Sequence, residues 1–171
     1  MGLTGMVENA IEEARKIDLL DNSRFNSLSK AISADDHGSV SRLLTLAENA
    51  DDSEFQAILQ RVRSVDADSG CPVVGLTGTG GAGKSSLTDE LMLRIQRDNP
   101  GAKVALLATD PTRKRTGGAL LGDRIRMNSL ADDNLFMRSF ASRASGREIA
   151  DCIDRAIEAC QAVGFDLILV E

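Results

Sequence analysis

Residues 78–85, near the middle of the chain, contain four glycines and end in Lys84 and Ser85. Their spacing fits the pattern G-x-x-x-x-G-K-[S/T], in which backbone N–H groups converge on phosphate oxygens because glycine has no Cβ to obstruct them. A short apolar run at 72–77, typical of a strand buried on both faces, precedes the loop, and residues 84–97 show helical spacing. The strand–loop–helix order favours a nucleotide phosphate site over a Gly-rich surface turn.

The residue types in this loop match the chemistry of a triphosphate. Lys84 would place a cation on the β- and γ-phosphates, and the hydroxyl of Ser85 is a hard oxygen ligand suited to Mg²⁺. The following helix N-terminus adds unpaired N–H groups and a favourable dipole. The residues expected to contact the nucleotide on these grounds are Gly78, Gly80, Gly81, Gly83, Lys84 and Ser85.

Three carboxylate side chains come directly after segments whose carboxyl ends would line the same crevice. Asp110 follows the apolar run 104–108, Glu171 follows the run 167–170, and Asp123 follows a Gly-rich loop. The carboxyl ends of parallel strands line the ligand crevice, and Mg²⁺ takes one or two carboxylates beside phosphates. Asp110 keeps an alternative role as a turn former and Asp123 as a helix cap.

The apolar pattern changes character at residue 71. Residues 1–65 show helical spacing, with N-cap candidates at Asp35-Asp36 and a capping-box-like pair at Asp51 and Glu54, and residues 64–70 form a small, acidic linker. Residues 71–171 instead alternate apolar runs with helical segments. Such alternation predicts a parallel sheet with right-handed crossovers. We predict an α/β fold, a P-loop NTPase-type parallel sheet that is incomplete, preceded by an α-helical arm and linker.

Composition and charge exclude several classes of protein. A net charge of −6 disfavours nucleic-acid binding, and no apolar run is long enough to span a membrane. The cysteines, Cys71, Cys152 and Cys160, lack metal-ligand spacing and indicate a reducing cytoplasm. A single histidine, His37, leaves no partner for a serine or cysteine nucleophile. We expect a cytoplasmic protein without nucleic-acid or membrane partners.

Four stretches of the sequence resemble the G-protein metallochaperones that serve adenosylcobalamin-dependent acyl-CoA mutases: residues 75–87, 109–112, 116–127 and 136–139. The sequence of the glycine-rich loop most resembles that of the same loop in the G domain of fused isobutyryl-CoA mutases. In those enzymes a cobalamin domain precedes the G domain and a substrate domain follows it. The resemblance therefore implies that the chain is an internal segment of a larger protein.

The same resemblance assigns parts of the chain to domains. Residues 71–171 resemble the N-terminal part of the G domain, residues 21–70 resemble the helical arm before it, and residues 1–20 resemble the last helix of the cobalamin domain. It implies GTP or GDP with Mg²⁺ as ligands, and adenosylcobalamin held by a linked or partner mutase. The implied partners are the acyl-CoA mutase and cobalamin domains, in a homodimer.

The resemblance also implies roles for individual residues. Residues 81–86, which include Ala82 and Ser86, would bind the phosphates, Arg126 would contact the nucleotide, and Asp110 and Asp123 would belong to the first switch. We assign catalysis to Lys84, Asp110 and Glu171. We assign the metal to Ser85, Asp110, Asp123 and Glu171.

Two family features are missing between residues 1 and 171: the second switch and the guanine-reading motif Asn-Lys-x-Asp. Guanine specificity therefore rests on the resemblance, and we expect the chain alone to be a poor GTPase with an exposed last strand at 167–170. The alternatives are a small-molecule P-loop kinase, a nickel-insertion GTPase, which usually carries His-rich or paired-Cys tracts, and a non-catalytic nucleotide-binding fragment.

Overall fold

The computed structural model of the chain describes residues 30–64, 67, 70–111, 127, 129, 133–142 and 152–171. The helix predicted over residues 1–20 lies outside these residues, as does the start of the predicted arm. The elements of the described part are, in chain order, α1 (His37–Asn49), α2 (Asp52–Val62), β1 (Val73–Gly75), α3 (Lys84–Asp98), β2 (Val104–Pro111), β3 (Leu135–Ser142), α4 (Ile153–Val163) and β4 (Leu167–Val170).

The four described strands form one parallel sheet in the order β1-β4-β2-β3. Leu169 of β4 pairs with Val74 of β1 on one side and with Leu106 of β2 on the other. The predicted α/β fold with a parallel sheet is therefore confirmed.

Two expectations about the strands are wrong. The last strand, β4, has neighbours on both sides, because a crossover connection inserts it between strands that come earlier in the chain. The strand before the glycine-rich loop, β1, is not buried on both faces: Val73 is 41% exposed and Val74 is 43% exposed. Among the described strands β1 and β3 are the edges, so the last strand is not the exposed edge that we expected.

The sheet carries a core on each face. On one face α3 contributes Met92, which packs in a cluster with Val104 and Leu106 of β2. On the other face α1, α2 and α4 cover Ala105 and Leu107. Successive side chains of a strand point to opposite faces, so β2 supplies both cores, as expected for its continuous apolar run.

The helical arm formed by α1 and α2 shares its core with the α/β unit. Its apolar stripes lie in one buried cluster with α4 and the sheet: Val40, Leu43, Leu44, Ala47, Phe55, Ile58, Leu59 and Val62. Polar contacts border this cluster. Arg155 of α4 donates to the carbonyl of Ala50 at 2.7 Å, and the backbone N–H of Ser64 donates to Ala162 at 2.8 Å. The arm is thus docked on the face of the sheet opposite α3.

Aspartates cap both helices of the arm, as their sequence positions predict. Asp36 accepts a hydrogen bond from the backbone N–H of Ser39 at 3.0 Å, and Asp51 accepts one from Glu54 at 2.8 Å. Hydrogen bonds donated by the side chain and the backbone of Ser39 hold the pKa of Asp36 below its usual value. These caps satisfy N–H groups that the first helical turn leaves unpaired.

Replacing the cap of α1 tests this account. At about pH 7, Asp36→Ala should lower the free energy of unfolding by about 1 kcal/mol, whereas Asp36→Asn, which keeps an accepting oxygen, should lower it less. Because folding lowers the pKa of Asp36, its charge stabilises the protein above the unfolded-state pKa, and that contribution is lost as the pH falls through the folded-state value. The gap between wild type and Asp36→Ala should narrow in urea titrations toward about pH 3. A gap independent of pH would contradict this.

Candidate functional site

The glycine-rich loop connects the edge strand β1 to the long helix α3, which begins at Lys84. Gly81 and Gly83 have φ angles of 80° and 85°, in the left-handed region that side chains disfavour. Gly83 is the N-cap of α3 and provides no side-chain hydrogen bond to it. The first N–H groups of α3 are therefore not capped from this position and point toward the loop, where an anion would lie.

Lys84 folds back over the loop that precedes it. Its Nζ donates to the carbonyl of Gly78 at 2.8 Å and to the carbonyl of Thr79 at 3.2 Å. Its aliphatic stem runs close to Gly78, because a Cβ added there would lie 3.5 Å from the Lys84 Cδ. The structure thus places the lysine cation at the loop, next to the uncapped end of α3.

Ser85 and Glu171, 86 residues apart in the sequence, meet beside this loop. The Ser85 hydroxyl donates to Oε1 of Glu171 at 2.7 Å, and the Thr88 hydroxyl lies 3.3 Å from Oε2. The backbone of Glu171 is held by β2: its N–H donates to Leu107 at 3.0 Å, and its carbonyl accepts from the N–H and hydroxyl of Thr109 at 2.7 and 2.8 Å. Glu171 is therefore fixed at both its backbone and its carboxylate.

The donor set fits Mg²⁺ by type. A hydroxyl and a carboxylate are hard oxygen ligands, and Mg²⁺ in nucleotide sites takes few protein ligands beside phosphates and water. Within the described ranges, no group of three or more His, Cys, Asp or Glu side chains could hold a metal ion. Ser85 and Glu171 are therefore two protein ligands of the type that a nucleotide-bound Mg²⁺ uses.

The remaining predicted site residues outside the loop are Asp110, Asp123 and Arg126. Asp110 lies near the carboxyl end of β2, with Ala141 of β3 as its Cα partner, so its backbone is at the predicted edge of the sheet. Asp123 and Arg126 lie outside the described residues, and their roles remain predictions.

No helix in the described part of the chain is long and apolar enough to cross a membrane.

Two residues of this site, Thr88 and Thr109, were missed by the sequence reasoning. Thr88 stands three positions after Ser85, which places both hydroxyls on the same face of α3. Threonine is a poor helix former, so its presence one turn into the helix was an available signal. Thr109 carried no such signal, because threonine is common in strands.

The chain has a parallel sheet and a strand–glycine loop–helix unit, with a lysine over the loop and a Ser–Glu pair beside it. This combination is typical of the class of P-loop nucleoside triphosphatases. The family within this class follows from comparison with known proteins. Residues 40–171 match the family model described as "Methylmalonyl Co-A mutase-associated GTPase MeaB", and the chain belongs to that family. The resemblance inferred from the sequence is confirmed.

Relatives of known name agree with this assignment. The fused isobutyryl-CoA mutase of Geobacillus kaustophilus is 40% identical over 178 residues, which cover 100% of this chain and 16% of that protein. The enzyme of the same name from Cupriavidus metallidurans is 43% identical over 174 residues, 15% of its length. A protein of Pyrococcus horikoshii named as a GTPase is 39% identical over 148 residues, 86% of this chain and 45% of its own. The chain thus spans about one sixth of the fused mutases.

Two neighbouring glycines provide a matched test of the loop geometry. A Cβ added at Gly80 or at Gly81 would meet no atom within 4 Å, but only Gly81 of the two has a left-handed φ. Gly81→Ala should lower the free energy of unfolding by about 1 kcal/mol through backbone strain. Gly80→Ala should leave it unchanged or raise it, because alanine restricts the unfolded chain. Equal effects in thermal or urea unfolding would contradict the loop conformation described here.

Proposed function

We propose that this chain binds GTP and GDP with Mg²⁺ and hydrolyses GTP as the G-protein segment of a cobalamin-dependent acyl-CoA mutase system. The observation that carries the proposal is the 2.7 Å hydrogen bond between Ser85 and Glu171, next to a loop over which Lys84 lies. A surface turn rich in glycine has no need of a carboxylate from a distant strand.

Each residue of the site has a distinct task in this proposal. The loop amides and Lys84 bind the β- and γ-phosphates, and Ser85 and Glu171 hold Mg²⁺. Held by Ser85 and Glu171, Mg²⁺ would supply positive charge to the phosphate oxygens, which in-line attack by water requires. Asp110 and Asp123 are proposed as switch and metal residues, and Arg126 as a nucleotide contact. Most of the catalysis would come from positioning and charge neutralisation rather than from covalent chemistry.

The choice of guanine and of the partner rests on the family. The matching model is that of a mutase-associated GTPase, and two of the relatives are themselves fused isobutyryl-CoA mutases. We therefore propose that the nucleotide state of this segment is coupled to cofactor loading or protection of an acyl-CoA mutase, with adenosylcobalamin bound by the mutase part. The homodimer and the cytoplasmic location are proposed on the same basis.

Removing the lysine tests phosphate binding. Lys84→Ala should weaken GTP and GDP binding by roughly 2–4 kcal/mol, the size expected for a charge-assisted contact in a partly desolvated site. Titration with fluorescently labelled nucleotides measures the change. Lys103→Ala is a matched control, because Lys103 pairs with Asp35 at 2.7 Å just before β2, at the end of the sheet away from the loop. Equal affinities in wild type and Lys84→Ala would refute the phosphate site.

Neutralising the carboxylate tests the metal and the reaction. Glu171→Gln should lower the Mg²⁺-dependent affinity for GTP by about 10- to 100-fold, as seen for residues around metal sites, and leave the affinity in EDTA unchanged. Steady-state phosphate release by the full-length protein should prefer GTP to ATP and fall in the same variant. The same loss of affinity with and without metal would mean that Glu171 is only structural, and a preference for ATP would contradict the guanine assignment.

A further inference from the structure

A second hydroxyl group reaches the carboxylate of Glu171. Thr88 lies one turn into α3, four residues after Lys84, and its side chain is completely buried, at 0% exposure. Its Oγ1 is 2.9 Å from the carbonyl of Lys84 and 3.3 Å from Oε2 of Glu171. A buried hydroxyl needs a hydrogen-bond partner, and Thr88 has two acceptors for a single hydrogen.

The helix itself does not require this hydroxyl. In an α-helix the carbonyl of Lys84 accepts the backbone N–H four residues later, which is that of Thr88. The contact from Oγ1 back to the same carbonyl is a surplus bond of a kind common for threonine in helices, and it does not improve the helix. The donor hydrogen of Thr88 is therefore available to Glu171, whose ionised carboxylate only accepts.

The two hydroxyls of α3 engage different oxygens of the carboxylate. Ser85 donates to Oε1, and Thr88 lies against Oε2. With the backbone of Glu171 anchored to Leu107 and Thr109, the remaining freedom is rotation of the side chain. The terminal torsion of a glutamate is broad, so contact with Ser85 alone leaves the orientation of the second oxygen poorly defined.

We propose that Thr88 is a positioning residue, whose buried hydroxyl fixes the orientation of Glu171 for the Mg²⁺ of bound GTP. The inference rests on the proposed function, because it assumes that Glu171 serves the metal. Thr88 does not touch the nucleotide in this account and acts only through the carboxylate. Its removal should therefore affect metal-dependent binding and leave metal-free binding intact.

The test measures how much Mg²⁺ strengthens GTP binding, as the ratio of the Kd in EDTA to the Kd in saturating Mg²⁺. In the full-length protein, Thr88→Val keeps the shape and removes the hydroxyl, and it should lower this ratio by about tenfold, near the lower end for hydrogen bonds to charged groups. The Kd in EDTA should not change. Thr88→Ser, which retains the hydroxyl, should restore most of the ratio.

A matched control separates this role from helix stability. Thr45 of α1 makes the same kind of bond to a carbonyl four residues earlier, Oγ1 to Ser41 at 3.0 Å, on the arm. Thr45→Val should leave the ratio unchanged. In a Glu171→Gln background, Thr88→Val should have no further effect. If the added methyl of valine prevents folding, Thr88→Ala removes the hydroxyl without it and should give the same fall in the ratio.

The outcomes distinguish this inference from the proposed function. A wild-type protein whose GTP affinity rises with Mg²⁺, together with an unchanged ratio in Thr88→Val or Thr88→Ala, would overturn the role of Thr88 and leave the nucleotide site standing. Equal losses with Mg²⁺ and with EDTA would show a structural role and also overturn it. A wild-type protein that binds no GTP would overturn the proposed function, and the role of Thr88 with it.

Discussion

The hydrogen bond between Ser85 and Glu171 depends on the whole topology of the sheet. Ser85 follows the loop that leaves β1, and Glu171 follows β4, so the two residues meet only because β4 lies directly beside β1. On its other side β4 pairs with β2, which fixes the backbone of Glu171 through Leu107 and Thr109. A strand order with β4 at the edge would leave Glu171 without the anchors on β2 that hold its backbone. The candidate metal pair is therefore a product of the crossover connections rather than of any local motif.

Much of the fold was predictable from local sequence because periodicity reports burial. The apolar run of β2, the stripes of α1 and α2, and the caps at Asp36 and Asp51 are all in place. Lateral strand order was not predictable, since an apolar strand has the same pattern in the centre of a sheet or at its edge. For this reason the sequence led us to expect a buried β1 and an exposed β4, whereas β1 is exposed and β4 is central. The position of Glu171 beside Ser85 was predictable, because the end of a parallel strand lies at the ligand edge whatever its neighbours are, and its role at a metal stays a prediction.

The arm packs on the face of the sheet opposite α3, whereas the candidate nucleotide site lies at the carboxyl edge of the strands, at the N-terminus of α3. Apolar burial holds the arm in place, and the ion pairs at its border, Arg138 with Glu48 at 3.4 Å and Lys103 with Asp35 at 2.7 Å, add specificity of orientation more than stability. Arg138 also lies over the ring of Phe140, 5.9 Å from its centroid, which aligns the guanidinium with α1. The layer between the arm and α3 consists of the strands themselves, with β2 and β4 at its centre.

Leu107 connects the core shared with the arm to the backbone of Glu171. Its side chain is buried in the core shared with the arm, whereas its carbonyl accepts the backbone N–H of Glu171. Because packed interiors transmit strain, we expect a change in side-chain volume at this position to shift β2 and with it the backbone anchor of Glu171. Leu107 thus has two structural roles at once: its side chain fits the arm, and its carbonyl places the backbone of Glu171.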